Sequence, residues 1–282
     1  MANTIDSALL IDTLATKAET VLANRLASLR TFSKDFSTDG YSQGKAIQVP
    51  IASAGSTTLT NPSNFEAGDS TLGKIAVTMN HYSQPFHVTS AQFNSKTRIE
   101  QLAGVNLNAL ADKITGVCTA LMLAGTYSGT AEVVAAASFA AANAKSCWGK
   151  LTKGTEKYLI LDPAAYAAIL PTDRNGFDLG VSGAYGFNGI FAQNNFTGAT
   201  ANTYGFACTP EAMAVASGIP LQVPGLANLL TDQRTVTLEQ LGLSVQINSW
   251  VSPATRALWC SYDVMFGAAA AQGAAGILIK SA

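Results

Sequence analysis

Two runs of alternating apolar residues stand on either side of a long polar stretch. The first, residues 45–51, carries Ile47, Val49 and Ile51; the second carries Ile75, Val77 and Met79. Alternation at period two marks a half-exposed strand. Residues 52–73 between them are rich in Ser, Thr, Gly and Asn, with Pro62 and Phe65. That gap is far longer than the roughly two to five residues of an ordinary hairpin loop, and loops of such length in compact domains are functional or disordered. An extended two-stranded arm with a polar tip fits the pattern. An isolated hairpin is marginal in water, so the arm is expected to need a partner surface, which points to assembly.

Helical periodicity fills much of the remaining N-terminal half. From about Thr4 to Arg30, Leu10, Leu14, Ala18, Val21, Arg25 and Leu29 recur at spacings of three and four, as in an amphipathic helix, with Asn3 or Thr4 as its cap. The pattern fits equally a helix packed on its own domain and an arm laid across a neighbour. Ser37-Thr38-Asp39-Gly40 reads as a break. The longest helical pattern runs from about Ser90 to Leu123, with Ile99, Ala103, Leu107, Leu110, Ile114, Val117 and Leu121 on one stripe. It predicts a helix roughly 50 Å long. Gly104 and Gly116 inside it each cost about 1 kcal/mol relative to alanine and are read as places for a bend or close packing.

Beyond it, alanine-rich residues 132–145 predict a helix. Tyr158-Leu159-Ile160-Leu161 predicts a strand closed by Asp162-Pro163, and residues 164–170 a short helix stopped by Pro171. This order points to a mixed α/β subdomain. Glycine-dense residues 175–189 form a loop. Strands are expected at 204–208, 213–216, 236–238, 243–247, 258–260, 263–266 and 277–280. There is no internal repeat.

Composition limits the function. Charged residues are 12% of the chain, against about 25% in ordinary soluble proteins, and low charge density favours self-association. With 17 basic and 18 acidic residues and no Lys/Arg cluster, the chain lacks the footprint of a phosphate-reading protein, although a DNA container needs none. Cys118, Cys147, Cys208 and Cys260 are too scattered for a zinc or redox motif and read as buried thiols of a reducing compartment. The N-terminus lacks a basic region followed by an apolar run, which argues against a secretory signal. The uncharged stretches 114–131 and 264–279 are too diluted by small residues to read as membrane spans.

Signs of catalysis are missing from the sequence. His81 and His87, if on one strand, lie about 20 Å apart on the same face, too far to share a metal. There is no Gly-x-Ser-x-Gly elbow and no Gly-Lys-Ser/Thr loop. Gly183-x-x-Gly186-x-x-Gly189 follows no clear strand and lacks dinucleotide spacing; Asp173 and Asp178 read as solvated. Trp148, Trp250 and Trp259 are read as core or interface anchors. No catalytic, cofactor-binding or metal residue is assigned, and no cofactor is expected.

The order of elements resembles the major capsid proteins of tailed bacteriophages, the Hong Kong 97-type fold. Gly44-Lys45-Ala46-Ile47-Gln48-Val49-Pro50-Ile51 resembles the strand opening that family's extended loop, and Tyr158 to Pro163 the strand before its short apical helix. Gly186-Phe187-Asn188-Gly189-Ile190 resembles its turn into the next strand, and residues 257–265 and 276–280 its closing strands. The resemblance covers nearly the whole chain. It implies an α+β, Hong Kong 97-like capsid fold: an N-terminal arm or helix at 1–38, an extended β-hairpin loop with flanking peripheral-domain strands at 39–89, and a peripheral-domain spine helix at 90–126. An axial α/β domain at 127–235 and closing strands shared by both domains at 236–282 complete it. It further implies subunit contacts at Lys45, Phe65 and Lys74 on the extended loop and at Gly176, Gly183 and Gly186 on the axial loop.

The implied role is a coat protein assembling through hexamers and pentamers into an icosahedral head around double-stranded DNA. Its partners are itself, portal, and scaffolding or decoration proteins, with DNA in non-specific proximity and no membrane. It is expected in the virion, assembled in the host bacterial cytoplasm. Some members begin with a cleaved helical scaffolding segment; the start at Met1, near the arm, leads us to expect that segment to be absent or a separate protein. Some members also crosslink a loop lysine to a neighbour's asparagine; Lys45 and Lys74 qualify by position and otherwise read as solvated lysines. Alternatives are an encapsulin-like nanocompartment shell, a β-rich phage or surface binding protein, against which the spine helix counts, and, third, an enzyme.

Overall fold

The computed structural model describes residues 7–52, 72–89, 96–127, 130–170, 183, 185–193, 196, 202–221, 225, 229–255 and 257–281. Helix α1 (Ser7–Arg25) packs on its own chain, which decides between the two readings its pattern allowed. It lies against the second long helix, α2 (Lys96–Thr119), and against strand β10 (Asp232–Leu238). Leu10, Leu14, Ala18 and Leu22 are buried, and the line continues through Leu26 and Leu29 of a following 3-10 turn. The buried stripe passes through Leu22, whereas Val21 and Arg25 sit at its margin. Arg25 instead reaches Asp112 of α2 at 3.2 Å, and Arg234 pairs with Asp12.

Ile99, Ala103, Leu107, Leu110 and Ile114 of α2 are buried, as the stripe requires. At 24 residues the helix is about 36 Å long, shorter than expected: the chain turns off after Thr119, and residues 90–95 lie outside those described. Its glycines do not serve close packing. A Cβ at Gly116 meets nothing within 4 Å, and one at Gly104 meets only the tip of Lys17. Gly116→Ala is therefore expected to raise stability by about 0.5–1 kcal/mol, measured by denaturant unfolding.

Both helices cover one face of a six-stranded sheet. Its order is β1 (Ser33–Tyr41), β9 (Met213–Pro220), β12 (Ala257–Ala270), β11 (Leu243–Ser252) and β10, with β4 (Asn80–Val88) also on β12. Met265 and Phe266 pair with both β4 and β9, so β9 and β11 follow one another along the same flank of β12. Phe86, Val88, Val245, Ile247, Cys260, Tyr262 and Val264 point to the helices and form the main core. Two of these strands, β1 and β4, were not among those expected. Residues 37–40, read as a break, lie within β1, but the parallel pairing with β9 is interrupted there: the register shifts between Phe36 and Gly40, so the break is a bulge in the strand and not its end. The approach to the spine around Pro85 is β4, where proline is tolerated because the strand lies at an edge.

The opposite face carries a hairpin, β2 (Ala46–Ala52) with β3 (Leu72–Thr78), in register from Ala46↔Thr78 to Ala52↔Leu72. Val49, Ile51, Val77 and Met79 bury themselves on Ala214, Ala216 and Met265. This corrects part of the expectation: the hairpin base has its partner surface within the chain. The tip, residues 53–71, lies outside the described residues.

A second sheet has the order β5 (Glu132–Val133), β13 (Gly276–Lys280), β8 (Thr203–Cys208), β6 (Tyr158–Leu161), β7 (Gly189–Ala192). On one face Leu159, Leu161, Ala207 and Ile277 pack with α3 (Ala141–Lys150) and α4 (Pro163–Ala168). On the other, Ile160, Phe206 and Leu278 join the main core. Asp162 caps α4, its Oδ1 accepting from Ala165 N at 2.8 Å with Pro163 in the first turn. The helix expected at 132–145 is displaced. Residues 132 and 133 pair with Ile279 and Lys280, and the helix starts at Ala141.

Glu132 explains the displacement. Its carboxylate accepts from Asn143 at 3.1 Å, Ser146 at 3.0 Å and Lys150 at 2.5 Å, all from one face of α3. Burial pushes this carboxyl up, but the three donors and the Lys150 charge outweigh it and hold it below the usual range. A depressed carboxyl contributes stability above its unfolded pKa of about 4.3 and loses it as pH falls through the folded value. Lys150→Met is expected to cost about 1–2 kcal/mol at pH 7. Thermal melts should show the gap from the parent chain closing as pH drops below about 4.

Candidate subunit-contact surfaces

Four of the six residues expected to meet neighbours are among the described residues, and they fall on two separate parts of the fold. Lys45 stands at the foot of the hairpin, its Nζ 4.9 Å from the Tyr41 ring centre. Lys74, exposed, pairs with Pro50, four residues (about 13 Å) further along the arm than Thr78. Phe65 lies outside the described residues, as does Gly176. Gly183 and Gly186 lie beside the second sheet, apart from the hairpin. Gly186 has φ +77°, a left-handed conformation that glycine alone adopts freely. Trp148 of α3 holds it: its Nε1 donates to the Gly186 carbonyl at 2.8 Å. Lys157 Nζ in turn sits 3.8 Å from the centre of the Trp148 ring, and Tyr185 donates to the Ile169 carbonyl at 2.7 Å. The end of the glycine-dense segment is thus pinned to α3 and to the end of α4. The exposed Trp148 was read only as an anchor of unspecified place.

Both histidines are on β4, on the face turned away from the helices. His81 Nε2 lies 3.2 Å from Asp263 Oδ1, and His87 packs against Trp259 at 5.3 Å. Trp259 stacks on Trp250 at 6.3 Å. Among the described residues no group of three or more His, Cys, Asp and Glu is arranged to hold a metal. All four cysteines are free and buried, and burial pushes their thiols up to about 12, so they stay protonated at neutral pH. No described helix is long and apolar enough to cross a membrane.

No protein-family model matches the chain, and no curated protein matches it. Solved structures do. A virus-like particle from Pyrococcus furiosus superposes with a TM-score of 0.57 at 11% identity, covering 95% of this chain and 98% of that one. The capsid of an empty GTA particle gives 0.51 at 15% identity, covering 91% and 90%. The capsid of the cyanophage P-SCSP1u gives 0.50 at 14% identity, covering 89% and 87%. The chain therefore has the α+β fold of capsid and virus-like-particle shell proteins along nearly its full length.

Proposed function

We propose that the chain is the major capsid protein of a tailed phage, a structural subunit that builds the head through hexamers and pentamers around double-stranded DNA. The observation that carries this reading is the likeness of fold to capsid shell proteins over about nine-tenths of the chain. In Hong Kong 97-like terms, α1 is the N-terminal element, β2–β3 the root of the extended loop and α2 the spine of a peripheral domain built on the six-stranded sheet. The five-stranded sheet with α3 and α4 is the axial domain. Lys45, Phe65 and Lys74 would touch a neighbour through the loop, and Gly176, Gly183 and Gly186 would do so near the capsomer axis. Trp148, by holding Gly186, would set the angle at which the axial segment leaves the domain. Heterologous contacts of this kind close into a shell only at the right angles. Portal, scaffolding or decoration proteins complete the assembly in the host cytoplasm.

A second reading is favoured by the Pyrococcus furiosus particle, 98% of whose chain is covered by the superposition at a TM-score of 0.57: an encapsulin-like cellular compartment. Expression of the chain alone, then with phage scaffold and portal, followed by size exclusion and negative-stain microscopy, tests both. Closed shells or curved capsomer sheets support the shell role, and packaged DNA or co-purifying protein cargo separates the two readings. A monomer in every combination would overturn both.

A further inference from the structure

Past the hairpin base, the face of the first sheet turned away from the helices holds a cavity of about 580 Å3. Strand alternation builds its floor. Register puts Ser83, Asp263 and Gln246 in one row, with Ser261 and Asn248 in the next. Asp263 is only 6% exposed. Its carboxylate accepts from Asn248 Nδ2 at 2.8 Å and from Ser261 Oγ, with His81 Nε2 at 3.2 Å. Gln233 Nε2 donates to Asn248 Oδ1 at 2.7 Å. The floor is a fixed lattice of amides and hydroxyls around one saturated carboxylate. Trp250, steadied by Trp259, forms one wall; Leu221 and Leu229 form another and remain 63% and 73% exposed.

The chemistry of the lining selects the ligand. No lysine or arginine is among the described lining residues, and the one histidine, His81, is turned to Asp263, so a phosphate or carboxylate would find no counter-charge of its own. The single carboxylate already has its donors, which makes it a poor trap for a cation. Amides and hydroxyls both donate and accept, and so match a ligand rich in hydroxyls. An indole offers broad apolar contact to the C–H face of a ring. The volume lies within the roughly 300–1,000 Å3 of small-molecule sites. We propose that this cavity binds a neutral saccharide, its hydroxyls on the side chains of Gln246, Asn248 and Ser83 around Asp263 and one ring face against Trp250. A shell subunit with such a site would carry a sugar-recognition function in addition to assembly.

The test is titration of the purified full chain, unassembled and assembled, with maltose, lactose and chitobiose. Gluconate is the anionic control, and binding is read by tryptophan fluorescence and saturation-transfer NMR. At least one neutral disaccharide should bind saturably, and gluconate should not. Gln246→Ala and Trp250→Phe, each checked for an unchanged melting temperature, should weaken binding about tenfold. No saturable response to any of the three sugars, or an affinity unchanged from the parent chain in both variants, would overturn the proposal. So would sugar binding to free subunits that vanishes on assembly, because the cavity would then be a subunit contact.

Discussion

Replacing residues 53–71 with Asn-Gly is expected to leave a folded subunit that forms no shells. The geometry of the base makes the two halves of this expectation separable. Ala52 faces Leu72 in register, so a two-residue type I′ turn closes the hairpin without disturbing it. Val49, Ile51, Val77 and Met79 keep their contacts with Ala214, Ala216 and Met265. Far-UV circular dichroism and the melting temperature should therefore stay near those of the parent chain. Under the proposed assembly role, what is lost is the contact that residues 53–71 would make with another subunit. Each 1.4 kcal/mol of contact is a factor of about ten in association, and a closed shell repeats the loss at every interface. Particle yield by sedimentation and negative-stain microscopy should fall at least a hundredfold, by about 3 kcal/mol per contact. Particles of normal yield and shape from the shortened chain would rule out the arm as an assembly element.

The parts of this fold that could be read in advance are those where one strong periodicity meets one buried face. The α2 stripe from Ile99 to Ile114 and the alternation of Val49, Ile51, Val77 and Met79 are of this kind, and all are buried. Misreadings came where pairing overrode local preference. Residues 37–40 look like a turn, and the β1–β9 register does shift there, yet the strand resumes at Gly40 and Tyr41 because β9 offers a parallel edge on both sides of the bulge. Alanines near 135 favour helix, but Glu132 is fixed to β13 and to the donors of α3. The strand β12 was seen as two pieces, 258–260 and 263–266, parted at Ser261, with Asp263 opening the second. Those two polar residues point to the open face and build the cavity floor. A lone carboxylate in an apolar strand was the available signal for that site. Gln246 and Asn248 complete the floor from another strand, and only the register brings them together.

Gly267→Ala is expected to destabilise the chain by about 3 kcal/mol, which corresponds to a fall in melting temperature of roughly 6–10 °C. Gly267 lies where β12 leaves β4 and continues along β9, opposite Ala216. At this point the foot of the hairpin crosses β12. A Cβ on Gly267 would collide with the carbonyl oxygen of Thr78 and would stand 2.8 Å from Val77 Cγ1. The first obstacle is backbone, so no change of rotamer relieves it. Thr78 is the last residue of β3 and pairs with Ala46, so moving its carbonyl lifts both strands off Ala214, Ala216 and Met265. Gly116→Ala is the matched control, because the same methyl added to open space on a helix has the opposite sign. Limited proteolysis locates the damage: new cleavage within 46–52 or 72–78, while α2 stays protected, marks a hairpin base levered from its sheet. If Gly267→Ala melted with the parent and showed no new cleavage, the hairpin foot would not be seated on β12 in solution. The arm would then owe its position to neighbours alone.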